Sequence, residues 1–333
     1  MIKRESAVGR EKDNYRTMRS SRLIVFVSIV LAVASSPAAV WQPSSGHAQL
    51  PLWPAAIPEA APVPGVESAV VTKPDHFVAG KPFTGVNNVT QPTMTVYSPA
   101  TANTGVAVVV FPGGGYKDLA IVLEGTEVCD WLIAKGITCV LLKYRVPDSG
   151  PHWEAKCDCH VDAVAPMALE DAQRTVGLAR FHAAEWHIDP HKIGVLGFSA
   201  GGHLVADVST HWDKRAYPAV DAADMESCRP DFAVALYPGH LTEKTTRKYE
   251  LNPTVPVSAQ TPPTFLLQAV DDPVDTVDNS LVYFIALKNA GVSVELHLYA
   301  HGGHAFGLRR TKSLITRWPE LVEKWLGEIG MIA

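Results

Sequence analysis

The chain has 333 residues, of which 47% are hydrophobic and 19% charged, and its formal net charge at pH 7 is −5. No repeat, coiled-coil pattern or long low-complexity tract is present, so the composition excludes fibrous and solenoid architectures. Without residues 1–48 the chain keeps 22 basic and 31 acidic residues, a net charge of −9. Such an acidic surface argues against nucleic acid and anionic membranes as partners.

The N-terminal segment predicts a signal peptide. Arg16, Arg19 and Arg22 precede an apolar block at 23–34, and small residues lead from this block to Ala48. A basic region, a short apolar region and a small-residue cleavage site are typical of Sec-type signals. The block is shorter than the roughly 20 residues of a membrane span. We expect cleavage after Ala48 and export to the periplasm or beyond, with an uncleaved anchor as the alternative.

The rest of the chain divides into two parts. Residues 49–70 are rich in Pro and Ala and predict an extended arm. Residues 71–333 are long enough for one catalytic α/β domain.

Short apolar runs predict seven strands, and five of the runs are almost continuously apolar, as in strands buried on both faces of a parallel sheet. In chain order they are 94–99, 106–112, 137–145, 192–198, 232–238, 264–270 and 294–300. Helical segments are expected between them, near 122–135, 168–187, 201–212, 277–290 and 311–329. This alternation predicts an α/β fold with a mostly parallel central sheet and helices on both faces.

Ser199 follows the fourth predicted strand directly, within the sequence Gly197-Phe198-Ser199-Ala200-Gly201. In a parallel sheet, ligands bind at the carboxyl ends of the strands. Small residues two positions before and after a serine allow the sharp strand-to-helix turn that exposes a nucleophilic hydroxyl. The motif alone is weak, because an ordinary Gly/Ser turn reads the same way. The strand before it and the helix after it favour a nucleophile.

The second predicted strand is followed by three glycines in the sequence "PGGGY". Glycines let the backbone approach a ligand and present its N–H groups, which an oxyanion hole requires. We expect the N–H groups of Gly114, Gly115 and Ala200 to serve as donors. A phosphate-binding loop would place Lys-Ser/Thr at the start of a helix, and Tyr116-Lys117 does not fit that pattern.

Acids and histidines follow the last two predicted strands. Asp271, Asp272 and Asp275 come after 264–270, and His301 and His304 come after 294–300. The resulting chain order of serine, acid and histidine is that of α/β-hydrolases. Four features at four strand ends predict a serine nucleophile with a histidine base and an acid.

The chain from about Leu50 onward resembles the α/β-hydrolase superfamily, and within it the secreted bacterial esterases of the acetylxylan and feruloyl esterase-like group. The resemblance is carried by "PGGGY", "LEDAQRTVGLARFHAAEWHIDPHKIGVLGFSAGGHL", "PPTFLLQAVDDPVD" and "ELHLYAHGGHAFGL". It implies the α/β-hydrolase fold and cleavage of short acyl esters, often on plant polysaccharides. It also implies that no metal or organic cofactor is needed.

The same resemblance implies the role of each site residue: Ser199 as nucleophile, Asp272 as acid and His304 as base. Asp271 and Asp275 remain rival acids, and His301 a rival base. The sequence departs from the family at Gln268-Ala269, where relatives often carry His-Gly.

Other residues near the motifs receive secondary assignments. Tyr116 and Trp153 are candidates for the substrate pocket, with ordinary partial burial as the alternative. His203, one helical turn after Ser199, is expected to pack or hydrogen-bond beneath the site. Asp171 is expected to be structural, paired with Arg174 or Arg180.

The five cysteines divide into two groups. Cys129 in a helix and Cys139 in a strand are expected to be buried thiols. Cys157, Cys159 and Cys228 lie in insert-like segments, where export permits disulfides. A metal site in "CDCH" lacks the usual C-x₂₋₄-C spacing, so we expect a loop disulfide there.

Two other functions compete with an esterase. A serine peptidase of the prolyl-oligopeptidase type shares the fold and the order of the triad, but such enzymes usually carry a large extra domain. A non-catalytic carbohydrate-binding protein on a hydrolase fold would be favoured by loss of a triad residue, and none is lost.

Overall fold

A computed structural model describes the chain over residues 40–58, 66–146, 152–154, 159–161, 165–242 and 249–333, with backbone only for 152–154 and 159–161. Residues 38–333 form one compact unit. In the described ranges, none of the helices has the length and apolar character needed to cross a bilayer.

Thirteen strands lie in the described residues. In chain order they are β1 Leu50–Pro51, β2 Ser68–Val71, β3 Thr84–Asn87, β4 Thr93–Tyr97, β5 Ala107–Phe111, β6 Asp118–Leu119, β7 Thr138–Lys143, β8 His152–Glu154, β9 Cys159–Val161, β10 Ile193–Phe198, β11 Ala233–Leu236, β12 Thr264–Ala269 and β13 Val294–Tyr299. Eight of them form the central sheet in the order β1-β4-β7-β5-β10-β11-β12-β13. Within this sheet the six neighbouring strands β7, β5, β10, β11, β12 and β13 are parallel. At the other edge, β4 pairs antiparallel with β7, and β1 pairs antiparallel with β4.

Five α-helices lie in the same described ranges. They are α1 Glu127–Ala134, α2 Ala165–Phe181, α3 Ala200–Thr210, α4 Asp278–Asn289 and α5 Trp318–Glu328. Every residue of β5, β7, β10, β11 and β12 is buried. Because successive side chains of a strand point to opposite faces, both faces of the sheet are covered.

The predicted fold class and all seven predicted strands are confirmed, with strand ends shifted by one or two residues. Helix boundaries differ more. A π-helical turn at Val122–Thr126 precedes α1, and a 3₁₀ turn at Leu314–Arg317 precedes α5. The helix expected at 168–187 begins three residues earlier, at Ala165, and ends at Phe181. Residues 182–187 form turns instead of continuing the helix.

The segment predicted as an arm is partly built into the domain. Leu50 and Pro51 pair with Met94 and Thr93 at the sheet edge. Residues 68–71 form β2 in a small antiparallel sheet with β3 and β6. This small sheet carries Asp118 to the carboxyl end of the large sheet.

The cysteine pairing differs from the expectation. Cys129 of α1 and Cys139 of β7 form a disulfide, and Cys228 is a buried free thiol. The prediction that these two cysteines are free thiols is therefore wrong. The turn after α1 leads into β7, which packs against α1 and brings the two sulfur atoms together. Cys157 lies outside the described residues, as does the side chain of Cys159.

Asp171 is structural, but its predicted partners are wrong. Its carboxylate accepts hydrogen bonds from the Arg145 side chain at 3.0 and 3.1 Å and from Trp53 Nε1 at 3.0 Å. Arg174 pairs instead with Asp221 and Asp224, and Arg180 with Asp231. The partner of Asp171 stands at the end of β7, which the helix spacing alone does not reveal.

We expect Asp171→Ala to lower the free energy of unfolding by about 3 kcal/mol, because it removes one of the two buried carboxylates that pair with the Arg145 guanidinium and leaves only Glu170. Glu320→Gln is a matched control in the exposed pair with Arg310 and should change stability by less than about 1 kcal/mol. Chemical denaturation of both variants measures the difference. Equal stabilities would contradict a structural role for Asp171.

Candidate active site

Ser199 stands on a strained turn between β10 and α3. Its backbone has φ 52° and ψ −119°, a conformation that costs free energy for a residue other than glycine. A Cβ at Gly197 would lie 2.1 Å from the carbonyl oxygen of Gly201, and one at Gly201 would lie 2.1 Å from that of Phe111. The two glycines therefore allow the close approach that the turn requires, as the sequence motif predicts.

His304 connects Ser199 to Asp272. Its Nε2 lies 3.0 Å from Ser199 Oγ, and its Nδ1 lies 2.7 Å from Asp272 Oδ2. The Asp272 side chain is completely buried, and its other oxygen accepts the N–H groups of Val274 and Asp275. The carboxylate is thus fixed against the imidazole, which is the arrangement of a serine nucleophile, its base and an orienting acid.

Gln268, where the sequence departs from the resembled family, holds the turn after β12. The side chain is buried, and its Nε2 donates to the carbonyl oxygen of Asp275 at 2.5 Å. Its Oε1 accepts from Ser280 Oγ at 2.5 Å. Gln268 therefore ties β12 to the loop that carries Asp272 and to α4.

The rival pair Asp271 and His301 lies outside the site. His301 Nδ1 is 3.1 Å from Asp271 Oδ2, and the His301 side chain is 88% exposed. Asp271 Oδ1 accepts the N–H groups of Gly302 and Gly303, at 2.8 and 2.9 Å. Asp271 thus anchors the loop that carries His304, and neither rival reaches Ser199.

Asp275, the other rival acid, lies on the serine side of His304. Its Oδ2 is 3.2 Å from Ser199 Oγ and 3.8 Å from His304 Nε2. A Cβ at Gly239 would lie 2.4 Å from Asp275 Oδ1, so the missing side chain makes room for this carboxyl group. Burial raises the pKa of Asp275 more than the nearby His304 and His240 lower it.

The surrounding acids also set the charge state of His304. Burial lowers the pKa of the imidazole, whereas the hydrogen bond and charge of Asp272 raise it. The charges of Asp275 and Glu124 act in the same direction. The pKa of His304 is therefore raised above the ordinary value of 6.5.

Gly114 and Gly115 follow β5 and line the same cavity as Ser199. Gly114 has φ 140°, and a Cβ there would lie 1.9 Å from the carbonyl oxygen of Asp118, so only glycine fits. Ala200 is the first residue of α3, where the backbone N–H has no partner within the helix. The N–H of Gly113 is already used, because it donates to Glu124 Oε2 at 2.8 Å.

Glu124 is a buried carboxyl group that sequence analysis did not select. It stands on the π-helical turn and accepts a hydrogen bond from Tyr237 Oη at 2.8 Å in addition to the Gly113 N–H. Tyr237 Oη also accepts the N–H of Gly307, three residues after His304. Glu124 thus links the glycine loop to the histidine loop, and burial raises its pKa.

A cavity of about 610 Å³ opens over these groups. Its wall combines backbone, carboxyl, amide and imidazole groups with a few apolar side chains. The lining residues are Phe83, Gly114, Gly115, Asp118, Ala120, Leu123, Glu124, Ser199, His240, Thr242, Val274, Asp275, Thr276, Asn279, His304 and Ala305. Within the part of the chain that the structure describes, no group of three or more His, Cys, Asp or Glu residues could hold a metal ion.

Of the two residues expected in the substrate pocket, Tyr116 does not line the described cavity, and the expectation for Trp153 stays a prediction. Tyr116 is fully buried behind the cavity, where its Oη lies 2.7 Å from His203 Nδ1. His203 itself lies 3.5 Å from Asp207, beneath the site as expected. Trp153 belongs to β8, and its side chain lies outside the described atoms.

His240 is a cavity residue that the sequence could have revealed. It stands two residues after the predicted strand at 232–238, so the rule that ligands bind at strand ends applies to it. Glu124 and Asp118 carry no such signal. They reach the cavity through a π-helical turn and a short strand of the small sheet, and neither element is evident from periodicity.

Two family models match the chain. The model of the Prolyl oligopeptidase family matches residues 169–329, and the BD-FAE model matches residues 94–215. Together they cover Ser199, Asp272 and His304.

Three relatives illustrate the similarity. The acetyl ester-xyloside bifunctional hydrolase of Caldicellulosiruptor lactoaceticus is 33% identical with a TM-score of 0.65, and the match covers 86% of this chain and 97% of that one. An acetylxylan esterase of Xylanibacter ruminicola is 31% identical over 61% of this chain and 41% of its own length. The endo-1,4-beta-xylanase B of Butyrivibrio fibrisolvens is 27% identical over 59% of this chain and 31% of its own. The chain thus matches well under half of the length of these two curated relatives.

We expect Asp272→Asn to lower kcat by about 10⁴, because the amide no longer holds the imidazole in the productive tautomer. Asp271→Asn is the matched control on the adjacent residue and should cost less than about tenfold, since that carboxylate only anchors a loop. Steady-state kinetics on nitrophenyl acetate compares them. The reverse ranking would assign the acid to Asp271.

The acidic limb of the pH profile of kcat/KM should lie above pH 6.5, because His304 must be neutral to accept a proton and its pKa is raised. Asp275→Asn removes one of the charges that raise this pKa, so the limb should move to lower pH. Asp271→Asn, at an exposed carboxylate paired with His301, should leave the limb in place. An unchanged limb in Asp275→Asn would show that Asp275 carries no charge in the free enzyme.

Proposed function

The chain belongs to the α/β-hydrolase superfamily, and on that premise we propose that it is a serine esterase that cleaves short acyl esters through Ser199. The observation that carries the proposal is the hydrogen-bonded chain from Ser199 Oγ to His304 and on to Asp272, with distances of 3.0 and 2.7 Å. Both contacts lie within the range expected for a nucleophile, a general base and its orienting acid.

The reaction proceeds in two stages. Ser199 Oγ attacks the ester carbonyl carbon while His304 Nε2 takes the hydroxyl proton, and Asp272 stabilises the imidazolium that forms. His304 then gives this proton to the departing alcohol oxygen as the carbon–oxygen bond breaks, which leaves the acyl group on Ser199. A water molecule attacks the acyl-enzyme in the same way and releases the acid.

The carbonyl oxygen carries a negative charge in both tetrahedral intermediates. We assign its stabilisation to the N–H groups of Gly114, Gly115 and Ala200. Two observations support this assignment: both glycines line the cavity beside Ser199, and Ala200 begins α3, so the N-terminus of that helix lies next to the nucleophile.

The acyl group is expected to be short. Five apolar side chains line the described cavity beside nine polar ones, and only two of the five, Phe83 and Leu123, are large. The insert from Pro147 to Pro166 is polar in sequence and lies mostly outside the described residues. A long acyl chain would have to leave methylene groups in water, each of which forgoes about 0.8 kcal/mol of burial.

The alcohol is expected to be a carbohydrate. An acetyl ester-xyloside hydrolase and an acetylxylan esterase are among the relatives. A second cavity of about 380 Å³ shares Phe83 and Asp118 with the first and adds hydroxyl, imidazole and amide groups from Thr72, His76 and Asn87. An aromatic ring with several hydrogen-bonding side chains suits a sugar, which supports a carbohydrate as the alcohol.

A serine peptidase is the second candidate, because a model of the Prolyl oligopeptidase family matches the catalytic half of the chain. A non-catalytic carbohydrate-binding protein is the third. Neither alternative accounts for the pairing of an intact triad with esterase relatives.

We further propose that the protein is exported, as the basic and apolar N-terminal segment indicates. Trp41 is 7% exposed in the core, and His47 Nδ1 lies 3.2 Å from the carbonyl oxygen of Val96. Cleavage after Ala38, with Ser36 as the other small residue of the signal, would keep these contacts, whereas cleavage after Ala48 would remove them. The N-terminal sequence of the exported protein decides between the two sites.

We expect kcat/KM for nitrophenyl esters to be highest for two to four acyl carbons and to fall steadily toward twelve. A peptide nitroanilide should be cleaved at less than about 1% of the rate of nitrophenyl acetate. Ser199→Ala should lower ester turnover by about 10⁶ while circular dichroism stays unchanged.

Three results would contradict the proposal. An optimum at eight or more carbons indicates a lipase, and preferred cleavage of the anilide indicates a peptidase. Turnover that survives Ser199→Ala shows that another residue is the nucleophile.

A further inference from the structure

We propose that Asp275 recognises the alcohol part of the substrate by accepting a hydrogen bond from the hydroxyl group next to the esterified oxygen. The inference rests on the esterase function proposed above and makes it more specific. The preferred substrate would be a monoester of a vicinal diol, as in a sugar that is acylated on one hydroxyl and free on its neighbour.

The first argument is the position of Asp275 relative to the leaving alcohol. His304 Nε2 must donate its proton to the alcohol oxygen, so that oxygen lies within hydrogen-bond reach of Nε2 when the bond breaks. Asp275 Oδ2 lies 3.8 Å from the same nitrogen and 3.2 Å from Ser199 Oγ. The carboxyl group therefore borders the place of the departing oxygen.

The second argument is the direction from which Asp275 approaches. The loop of Gly114 and Gly115 follows β5, on one side of β10 in the sheet. Asp275 follows β12 and rests against Gly239, which follows β11, on the other side of β10. The oxyanion site assigned above and Asp275 thus lie on opposite sides of Ser199, which limits the repulsion between the carboxylate and the charge that forms on the oxyanion.

The third argument is that the backbone of Asp275 is held in place, while its carboxyl group keeps unused hydrogen-bond acceptor positions. Its N–H donates to Asp272 Oδ1 at 3.0 Å, and its carbonyl oxygen accepts from Gln268 Nε2 at 2.5 Å. The side chain is 15% exposed and lines the cavity. A carboxylate has about four acceptor positions, and among the described residues Ser199 Oγ, 3.2 Å from Oδ2, is the one hydroxyl within hydrogen-bond distance of it. A carboxyl group that extends from a backbone held in this way and has free acceptor positions can receive a substrate hydroxyl.

The test compares two substrates, a xyloside monoacetate with a free neighbouring hydroxyl and its analogue with hydrogen in place of that hydroxyl. We expect kcat/KM of the wild-type enzyme to favour the hydroxyl substrate by about 10- to 100-fold, the usual effect of one hydrogen bond to a buried charged group. Asp275→Val should reduce this ratio to about one. Asp275→Asn should retain part of it, because the amide oxygen still accepts.

The ratio cancels any effect of Asp275 on Ser199 or His304 that both substrates share. Asp271→Asn, which removes an adjacent carboxylate outside the cavity, is the matched control and should keep the wild-type ratio. A wild-type ratio near one, or a ratio that survives Asp275→Val, overturns the inference. So does hydrolysis of nitrophenyl acetate with no turnover of either xyloside, whereas failure to hydrolyse any ester overturns the proposed function itself.

Discussion

The geometry of the site depends on the backbone of Ser199 being held at positive φ between β10 and α3. A side chain at Gly197 or Gly201 would collide with a backbone carbonyl, so the turn closes only with glycine at both positions. Once the turn is closed, the hydroxyl stands above the carboxyl end of the sheet and the N-terminus of α3 lies beside it. The strands β5, β12 and β13 all run parallel to β10 in the same sheet. The loops that follow them therefore reach the same point.

The second determinant is the charge around His304. Three carboxyl groups, those of Asp272, Asp275 and Glu124, raise its pKa against the opposing effect of burial. Only Asp272 bonds to the imidazole, at Nδ1. Glu124 instead ties the glycine loop to Tyr237, and Asp275 borders Ser199. The site therefore stabilises the imidazolium form of His304 that catalysis requires. As a consequence, His304 becomes a neutral base only at higher pH.

Much of this architecture could be predicted from the sequence. Five of the seven predicted strands are buried on both faces and appear as almost continuous apolar runs, whereas β4 and β13 are only partly buried. The catalytic candidates directly follow predicted strands, so their order was visible as well. What failed depends on contacts between separate elements. Asp171 pairs with Arg145 across the α2–β7 contact, and Tyr237 reaches Glu124 over 113 positions of the chain. Neither partner has a spacing that a local pattern could reveal.

The most direct test of the central claim, that Ser199 is the activated nucleophile, is covalent labelling with a fluorophosphonate followed by peptide mapping. We predict one adduct per chain, on the peptide that contains Ser199, formed at a rate that increases with pH as His304 loses its proton. Ser199→Ala should prevent labelling, and Asp272→Asn should slow it strongly. An adduct on a different residue, or labelling that persists in Ser199→Ala, would contradict the account.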